Sequence, residues 1–319
     1  MIWFYIILGA VLLLFLLPAC VLSWILYTIL LVRNKPDKWG RSCSIPDDEE
    51  YVRMFDIGIE WENQNHDVKH NVAIRSCDGL RLVGEYFDFG ARKAVILIAG
   101  RMESLLYSYY FAEPFRRAGY NVLVIDNRAH GLPEGKVSSL GYREYKDVLQ
   151  WTRLLHDTMG NDKVFLHGIC IGASTALFAA VSETCPEYVE GLCVEGMYVN
   201  FYESLVNHMK VDWPDKPRFP ILYGALVWIR LISGANVVTD GPLRRIDRLK
   251  KPILFLHSRE DKYSLPDKAE ELYARCSAPK QLVWFDRGAH SRIRINNTEA
   301  YDEAIVSFLR EKCPETYCN

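Results

Sequence analysis

The residues best suited to covalent chemistry lie around Cys170, in the segment Gly168–Gly172 (GICIG). This segment follows a short predicted strand, residues 164–166, and leads into a predicted helix. At so sharp a strand-to-helix turn larger side chains collide, and Gly168 and Gly172 avoid this because they lack a Cβ atom. The helix N-terminus favours the thiolate form of Cys170. The pattern predicts a nucleophilic thiol; the alternative is a buried, unreactive cysteine.

A thiol nucleophile needs a base, and the base needs an acid that orients it. Asp261 follows a predicted strand at residues 252–257, and His290 follows another at residues 281–285. The carboxyl ends of parallel strands lie at one edge of a sheet, so both loops open toward Cys170. The sequence therefore predicts a Cys170–His290–Asp261 triad.

Two other carboxylates compete for the role of the acid. Glu260 is adjacent to Asp261, and Glu195 ends the preceding predicted strand. Asp261 is favoured because a helix-starting proline, Pro266, follows it after a few residues. The remaining histidines lack comparable placement and are predicted to be structural or at the surface: His66, His70, His130, His156, His167, His208 and His257.

Attack on a carbonyl produces an oxyanion, which preformed N–H donors must stabilise. One predicted donor is the backbone N–H of Ile171, directly after the nucleophile. The second is the backbone N–H of Arg101, in the loop that follows the buried strand Ala94–Ile98. The Arg101 side chain either contacts an acidic group of the substrate or is simply solvated.

The elements that position these residues alternate between strands and helices. Residues 72–75 and 80–86 predict a hairpin around Asp78-Gly79. Continuous apolar runs predict buried strands, at residues 94–98, 121–125, 164–166, 191–195, 252–257 and 281–285. Helices are predicted at residues 105–118, 141–156, 266–275 and 298–311. This alternation predicts an α/β domain over residues 71–312, with a mostly parallel central sheet flanked by helices.

More than 50 residues separate the strand ending at Glu195 from the one starting at Pro252, which exceeds what one crossover helix needs. The excess, about residues 197–248, predicts a small helical cap rich in aromatic residues. Its apolar run, residues 219–232, either lines an acyl pocket, touches a bilayer or packs the cap on the core.

Residues 1–32 carry no charge, exceed the ~20 apolar residues that span a bilayer, and lack the basic start of a signal peptide. They predict a single-pass transmembrane anchor. Basic residues follow at once, and by the positive-inside rule the domain lies in the cytoplasm: Arg33, Lys35, Lys38 and Arg41. Cys20 weakly suggests lipidation instead. Residues 33–70 are predicted to be a linker with one short helix near 48–64, and residues 313–319 a tail.

Composition narrows the classes of partner. The net charge is -2 and the basic residues are scattered, so no nucleic-acid partner is expected. Nine cysteines at irregular positions include no C-x-x-C pair, which disfavours a disulfide framework or zinc site and suits a reducing compartment. No cofactor or metal is expected, and the sequence does not indicate an oligomeric state.

Together these residues resemble the α/β-hydrolase superfamily, in particular the branch of serine aminopeptidases, monoacylglycerol lipases and bile-acid amidases. The resemblance covers about residues 71–311 and adds Asp126–Gly131 (DNRAHG), the branch's D-x-R-x-H-G, and Gly288–His290 (GAH). It implies the α/β-hydrolase fold. Ala99-Gly100 stands where the branch has His-Gly, and Cys170 replaces its serine, as in dienelactone hydrolases and some acyl-transferring relatives.

The hypothesis that follows is hydrolysis of a carboxylic ester, thioester or amide of a small-molecule acyl substrate, through an acyl-cysteine intermediate. The first alternative is acyl transfer, in which an amine or alcohol replaces water. The second is a non-catalytic binding or scaffold protein that kept the fold. The presence of both Asp261 and His290 disfavours this last alternative, because an inactive site has no need of them.

Overall fold

Eight strands form one sheet in a computed structural model of the chain, which describes residues 1–314 except the side chains of residues 7–13. Residues 315–319, most of the predicted tail, lie outside the described part. The strands are β1 Lys69–Arg75, β2 Arg81–Phe87, β3 Lys93–Ile98, β4 Tyr120–Ile125, β5 Lys163–Ile169, β6 Val189–Glu195, β7 Ile253–Ser258 and β8 Lys280–Phe285. Their order in the sheet is β1-β2-β4-β3-β5-β6-β7-β8.

The first two strands form the predicted hairpin. Its turn has a positive φ at Gly79, which glycine adopts without steric cost. β2 also pairs antiparallel with β4, and all later pairings are parallel. Ile98 is in register with Gly168, and Ile169 with Glu195. The carboxyl ends of the central strands therefore meet at one edge, as the sequence predicts.

Twelve helices surround the sheet in the described part of the chain: α1 Ile2–Leu31, α2 Glu49–Gln64, α3 Leu105–Ser108, α4 Glu113–Arg117, α5 Glu144–Arg153, α6 Ile171–Ala180, α7 Phe201–Asp212, α8 Ile221–Ser233, α9 Pro242–Arg245, α10 Pro266–Arg275, α11 Ile293–Asn296 and α12 Thr298–Lys312. α5, α6 and α10 bury apolar side chains on one face of the sheet. α2, α3, α4 and α12 cover the other face. The α/β-hydrolase fold with a mostly parallel, helix-flanked sheet is confirmed.

Two predicted helices differ in detail. The helix predicted over residues 105–118 is divided into α3, a 3-10 turn at Tyr109–Phe111 and α4. Pro114 lies in the first turn of α4, where its missing N–H costs nothing, and so it starts a helix instead of kinking one. The helix predicted over residues 141–156 begins later, at Glu144, and ends in a π turn, Leu154–Thr158.

The predicted cap region contains α7, α8 and α9, and it packs against the end of α1. A third apolar cluster joins α1, α7 and α8 to the turn at Cys170; its members include Tyr27, Leu31, Ile171, Phe201, Leu205, Leu222 and Ile229. Of the described helices, α1 alone is long and apolar enough to cross a membrane, with an 18-residue window, Leu14–Leu31, of mean hydropathy 2.3.

The segment that the sequence predicts to be a linker is packed against the domain. The backbone of Val32 pairs with that of Val137, and the side chains of Tyr51, Met54 and Trp61 are buried on the sheet through α2. Arg41 reaches buried carboxylates of Asp126 and Glu85 at 3.0 and 2.9 Å. Residues 33–64 therefore form part of the domain's structure.

Candidate active site

Cys170 lies between β5 and α6 with a positive φ of 55° and a ψ of -113°. An L-residue rarely adopts such a φ, and strain of this kind concentrates at functional sites. A Cβ on Gly168 would lie 2.2 Å from the carbonyl oxygen of Gly172, and one on Gly172 would lie 2.1 Å from that of Ile98. Only glycine fits at either position, so these two residues permit the turn that presents Cys170.

His290 and Asp261 are brought together by the loops after β8 and β7. Nδ1 of His290 lies 2.7 Å from Oδ2 of Asp261. The other carboxylate oxygen of Asp261 accepts hydrogen bonds from the backbone N–H groups of Tyr263 and Ser264. Burial acts to raise the pKa of Asp261, but the charge and hydrogen bond of His290 outweigh it and lower that pKa. Asp261 is thus a fixed anion that orients the imidazole.

The second ring nitrogen of His290, Nε2, is buried and has no regular hydrogen-bond partner among the described residues. The Cys170 thiol lines the same pocket. Burial acts to lower the pKa of His290, but Asp261 and then Cys170 raise it well above its ordinary value. The imidazole is therefore held by the carboxylate of Asp261 through Nδ1 and lines the same pocket as the Cys170 thiol.

The two rival carboxylates have other contacts. The carboxylate of Glu260 accepts a hydrogen bond from the backbone N–H of Gly288 and so supports the loop that carries His290. Glu195 is fully buried and accepts a hydrogen bond from the hydroxyl of Tyr301 at 2.6 Å. Burial raises the pKa of Glu195 to about 7. Of the three acids, Asp261 is the one hydrogen-bonded to the imidazole.

The predicted oxyanion donors line the pocket beside the thiol. Ile171 is the first residue of α6, so its N–H has no partner within the helix. Arg101 follows β3, and its loop is held on two sides. The carboxylate of Glu103 accepts the N–H of Gly100 at 2.9 Å, and Nε2 of His130 contacts the carbonyl of Arg101. His130, predicted to be structural, thus supports the loop through the D-x-R-x-H-G segment.

Three residues of the segment before the sheet support the same loop. The hydroxyl of Tyr51 donates to the buried carboxylate of Glu103 at 2.9 Å. The hydroxyl of Ser44 donates to the carbonyl of Met102 at 2.8 Å. The indole of Trp39 stacks on His130, with ring centroids 4.6 Å apart. The sequence analysis did not identify this support, because the partners are far apart in the chain and form no local motif.

The pocket has a volume of about 320 Å³. Its lining joins the sheet edge, the cap and the N-terminal segment: Ile45, Tyr51, Arg101, Cys170, Tyr198, Phe201, His208, Tyr263, His290 and Arg292. A larger cleft of about 470 Å³ contains neither Cys170 nor His290. No three metal-ligating side chains converge within the described residues.

Two aromatic rings lie beside the ring of His290, one from the cap and one from the loop after β7. His208 stacks on Tyr263 with centroids 4.0 Å apart, and both rings lie within 6.4 Å of the His290 ring. The hydroxyl of Tyr263 donates to Asp212 at 2.8 Å. His208 was predicted to be structural or at the surface, and it instead lines the pocket. Its burial lowers its pKa to about 4, so it is neutral near pH 7.

Comparisons with known proteins agree with this architecture. Residues 93–223 match the family described as alpha/beta hydrolase fold. The chain is 30% identical over 216 residues to the uncharacterized protein YqkD of Bacillus subtilis, covering 67% of this chain and 70% of that protein. It is 23% identical over 283 residues to the alpha/beta hydrolase domain-containing protein aho-3 of Caenorhabditis elegans, covering 84% and 74%.

A solved structure shows the same fold at lower identity. The esterase Pf2001 of Pyrococcus furiosus superposes with a TM-score of 0.67 and 24% sequence identity. The match covers 79% of this chain and 94% of the esterase.

Proposed function

This chain belongs to the α/β-hydrolase family, and we propose that it cleaves a carboxylic ester, thioester or amide through an acyl-cysteine intermediate at Cys170. One observation carries the proposal: the imidazole of His290 is hydrogen-bonded to Asp261 through Nδ1, while Nε2 is left for the thiol. The strained backbone of Cys170 and its place at the start of α6 support the same role.

The reaction follows from these positions. His290 takes the thiol proton as the sulfur of Cys170 attacks the carbonyl carbon, and the C=O electrons move to the oxygen, which the N–H groups of Ile171 and Arg101 stabilise. His290 gives its proton to the leaving oxygen, sulfur or nitrogen as the acyl bond breaks. Water then attacks the acyl-cysteine, His290 takes its proton, and the thiolate of Cys170 leaves. Asp261 holds the ring in the required orientation throughout.

Covalent labelling tests the assignment. Purified protein is treated with iodoacetamide, its cysteines are mapped, and turnover of activated acyl esters and thioesters is measured. We expect Cys170 to react fastest and its alkylation to abolish turnover. Cys170→Ala should be inactive, and Cys170→Ser should retain part of the activity because the base and oxyanion donors remain.

The matched control is Cys185→Ala, which removes a half-buried cysteine that does not line the pocket. This variant should keep both the labelling rate of Cys170 and the turnover. A Cys170→Ala protein as active as wild type would refute the mechanism. Turnover with an amine or alcohol acceptor in place of water would assign acyl transfer instead of hydrolysis.

We also propose that α1 anchors the chain in a membrane with the domain on the cytoplasmic side. Its apolar window meets the length requirement, and basic residues follow it closely. Tyr27 and Leu31 are completely buried against the domain, so removal of α1 as a signal sequence would expose an apolar groove. Protease added outside intact cells should spare the domain, and digestion there would show that the orientation is wrong.

A further inference from the structure

The outer face of α8 carries apolar side chains that are about half exposed or more. Tyr223, Val227 and Leu231 repeat every four residues, and they are 46%, 56% and 69% exposed. The opposite face of the helix is buried in the cap, through Leu222 and Ile229 among others. Phe219, just before the helix, is 76% exposed. Exposed apolar side chains that adjoin one another in this way are typical of a contact surface.

α8 is fixed beside α1 by close packing. A Cβ on Gly224 would lie 2.1 Å from Oγ of Ser23, so the glycine allows the two helices to approach closely. Trp24 and Trp228 meet edge to face, with ring centroids 5.0 Å apart. The outer face of α8 therefore continues the exposed apolar surface of the helix that could span a membrane.

The length of the exposed part of α1 indicates that α8 lies at the membrane surface. Residues 2–22, whose described side chains are almost all exposed, extend about 32 Å at ~1.5 Å per residue, close to the ~30 Å of a hydrocarbon core. Burial against the cap begins at Ser23. Trp24, Tyr27 and Trp228 then lie at the level where aromatic residues concentrate at membrane interfaces.

The charged residues near α8 also suit a position at the membrane interface. Lys216 and Arg218 are exposed just before Phe219, with Asp215 offsetting one of them. At the end of α1, the ammonium group of Lys38 donates to the carbonyls of Thr28, Ile29 and Val32. Apolar side chains flanked by cations are typical of helices that lie in the headgroup region.

We propose that α8 lies in the interface of the membrane that α1 spans, with Phe219, Tyr223, Val227 and Leu231 in contact with lipid. α7 packs between α8 and the pocket, which it lines through Phe201 and His208. The cap therefore holds the catalytic pocket against the bilayer. This inference requires the membrane anchor proposed above, but it does not depend on the acyl chemistry.

Lipid photolabelling tests the surface directly. The full chain is reconstituted into vesicles of phosphatidylcholine and phosphatidylglycerol that contain a phospholipid with a diazirine in its acyl chain. After irradiation, trypsin releases residues 219–230 as one peptide, because Arg218 and Arg230 bound it. We expect lipid adducts on this peptide as well as on α1. Adducts on α1 without any on residues 219–230 would overturn the inference, whether water or a second copy covers the face.

A pair of variants makes the test specific. Val227→Glu should reduce adducts on residues 219–230 about fivefold, since an anionic side chain opposes insertion beside phosphatidylglycerol and leaves the tryptic peptide intact. Ile57→Glu makes the same kind of change on α2, at a residue that is 39% exposed, and should leave the labelling unchanged. Equal labelling of Val227→Glu and wild type would also contradict the proposal. Absence of adducts on α1 itself would refute the anchor and this inference together.

Discussion

Two regions of the molecule meet at the catalytic pocket and contribute to it in different ways. The loops at the carboxyl ends of the sheet carry the residues of the proposed triad, Cys170, Asp261 and His290. The N-terminal segment supplies Ser44 and Tyr51, which hydrogen-bond to the loop after β3 without including a reacting group. We therefore expect the first region to carry out the reaction and the second to hold the loop after β3 in place.

The difference lies in what fixes each region. The sheet-edge residues are held by backbone geometry, such as the strained turn at Cys170 and the two amides that hold Asp261. The N-terminal residues act through single side-chain hydrogen bonds. Substitutions at the sheet edge should therefore abolish turnover, whereas substitutions in the N-terminal segment should lower it partly. The two groups should also differ in whether they slow the alkylation of Cys170.

The largest effect is expected for His290→Ala. Without the imidazole, the base that takes the thiol proton and returns it to the leaving group is lost, so turnover should fall by roughly 10²–10⁴. Alkylation of Cys170 by iodoacetamide should slow as well, which stopped-flow or mass-spectrometric kinetics would measure. Glu260→Gln is the control, because that carboxylate contacts the Gly288 amide and not the ring. If Glu260→Gln lowered turnover as much as His290→Ala, the loss in His290→Ala could not be assigned to the imidazole alone.

Glu195 tests how burial at the sheet edge changes the dependence of stability on pH. Burial raises its pKa to about 7, so the folded state favours the neutral carboxyl. The stability from this group is therefore complete below its ordinary pKa of about 4.5 and is lost as pH rises through 7. Relative to wild type, Glu195→Gln should gain about 2–3 kcal/mol in free energy of unfolding between pH 5 and pH 8.

Urea unfolding in detergent at the two pH values would measure this change. Glu187→Gln is the control, since Glu187 is fully exposed and its replacement should give the same stability difference at both pH values. A Glu195→Gln protein with the same stability difference from wild type at pH 5 and pH 8 would show that Glu195 titrates normally.

The same contrast explains what the sequence could predict. Strands buried on both faces appear as continuous apolar runs, and the run at residues 252–257 differs by one residue from β7, Ile253–Ser258. The helix predicted at residues 266–275 coincides with α10. The loops after these strands open at one edge because the strands are parallel, which is why Asp261 and His290 could be placed together from their spacing alone.

The support of the loop after β3 could not be predicted in this way. Tyr51 and Glu103 are 52 residues apart, and neither lies in a motif that names its partner. Residues 33–64 contain prolines, acidic residues and mixed polarity, which indicate a linker when read locally. Their role depends on tertiary packing, in which α2 covers one face of the sheet. The buried residues of α2 recur at helical spacing, but that spacing does not identify the surface against which they pack.

Tyr51→Phe should separate position from chemistry. It removes one donor to the buried carboxylate of Glu103, which also accepts the N–H of Gly100 in the loop after β3. We expect kcat to fall roughly tenfold and the free energy of unfolding to fall by about 1–2 kcal/mol. Alkylation of Cys170 should keep its rate, because displacement of iodide forms no oxyanion. Equal slowing of alkylation and turnover would mean that Tyr51 acts on the thiol and not on the loop.

The smallest effect is expected for Ser44→Ala, which removes the hydrogen bond to the carbonyl of Met102. Ser44 is only half-buried, so water can replace part of the lost bond, and kcat should fall by roughly two- to fivefold. Ser277→Ala, which removes a long hydroxyl contact to a carbonyl far from the pocket, should have no effect. If Ser44 and Tyr51 hold one loop as a unit, the double variant should lose less than the product of the single losses, because the first change already frees the loop. Independent, multiplicative losses would instead show that each residue positions its own part of the loop.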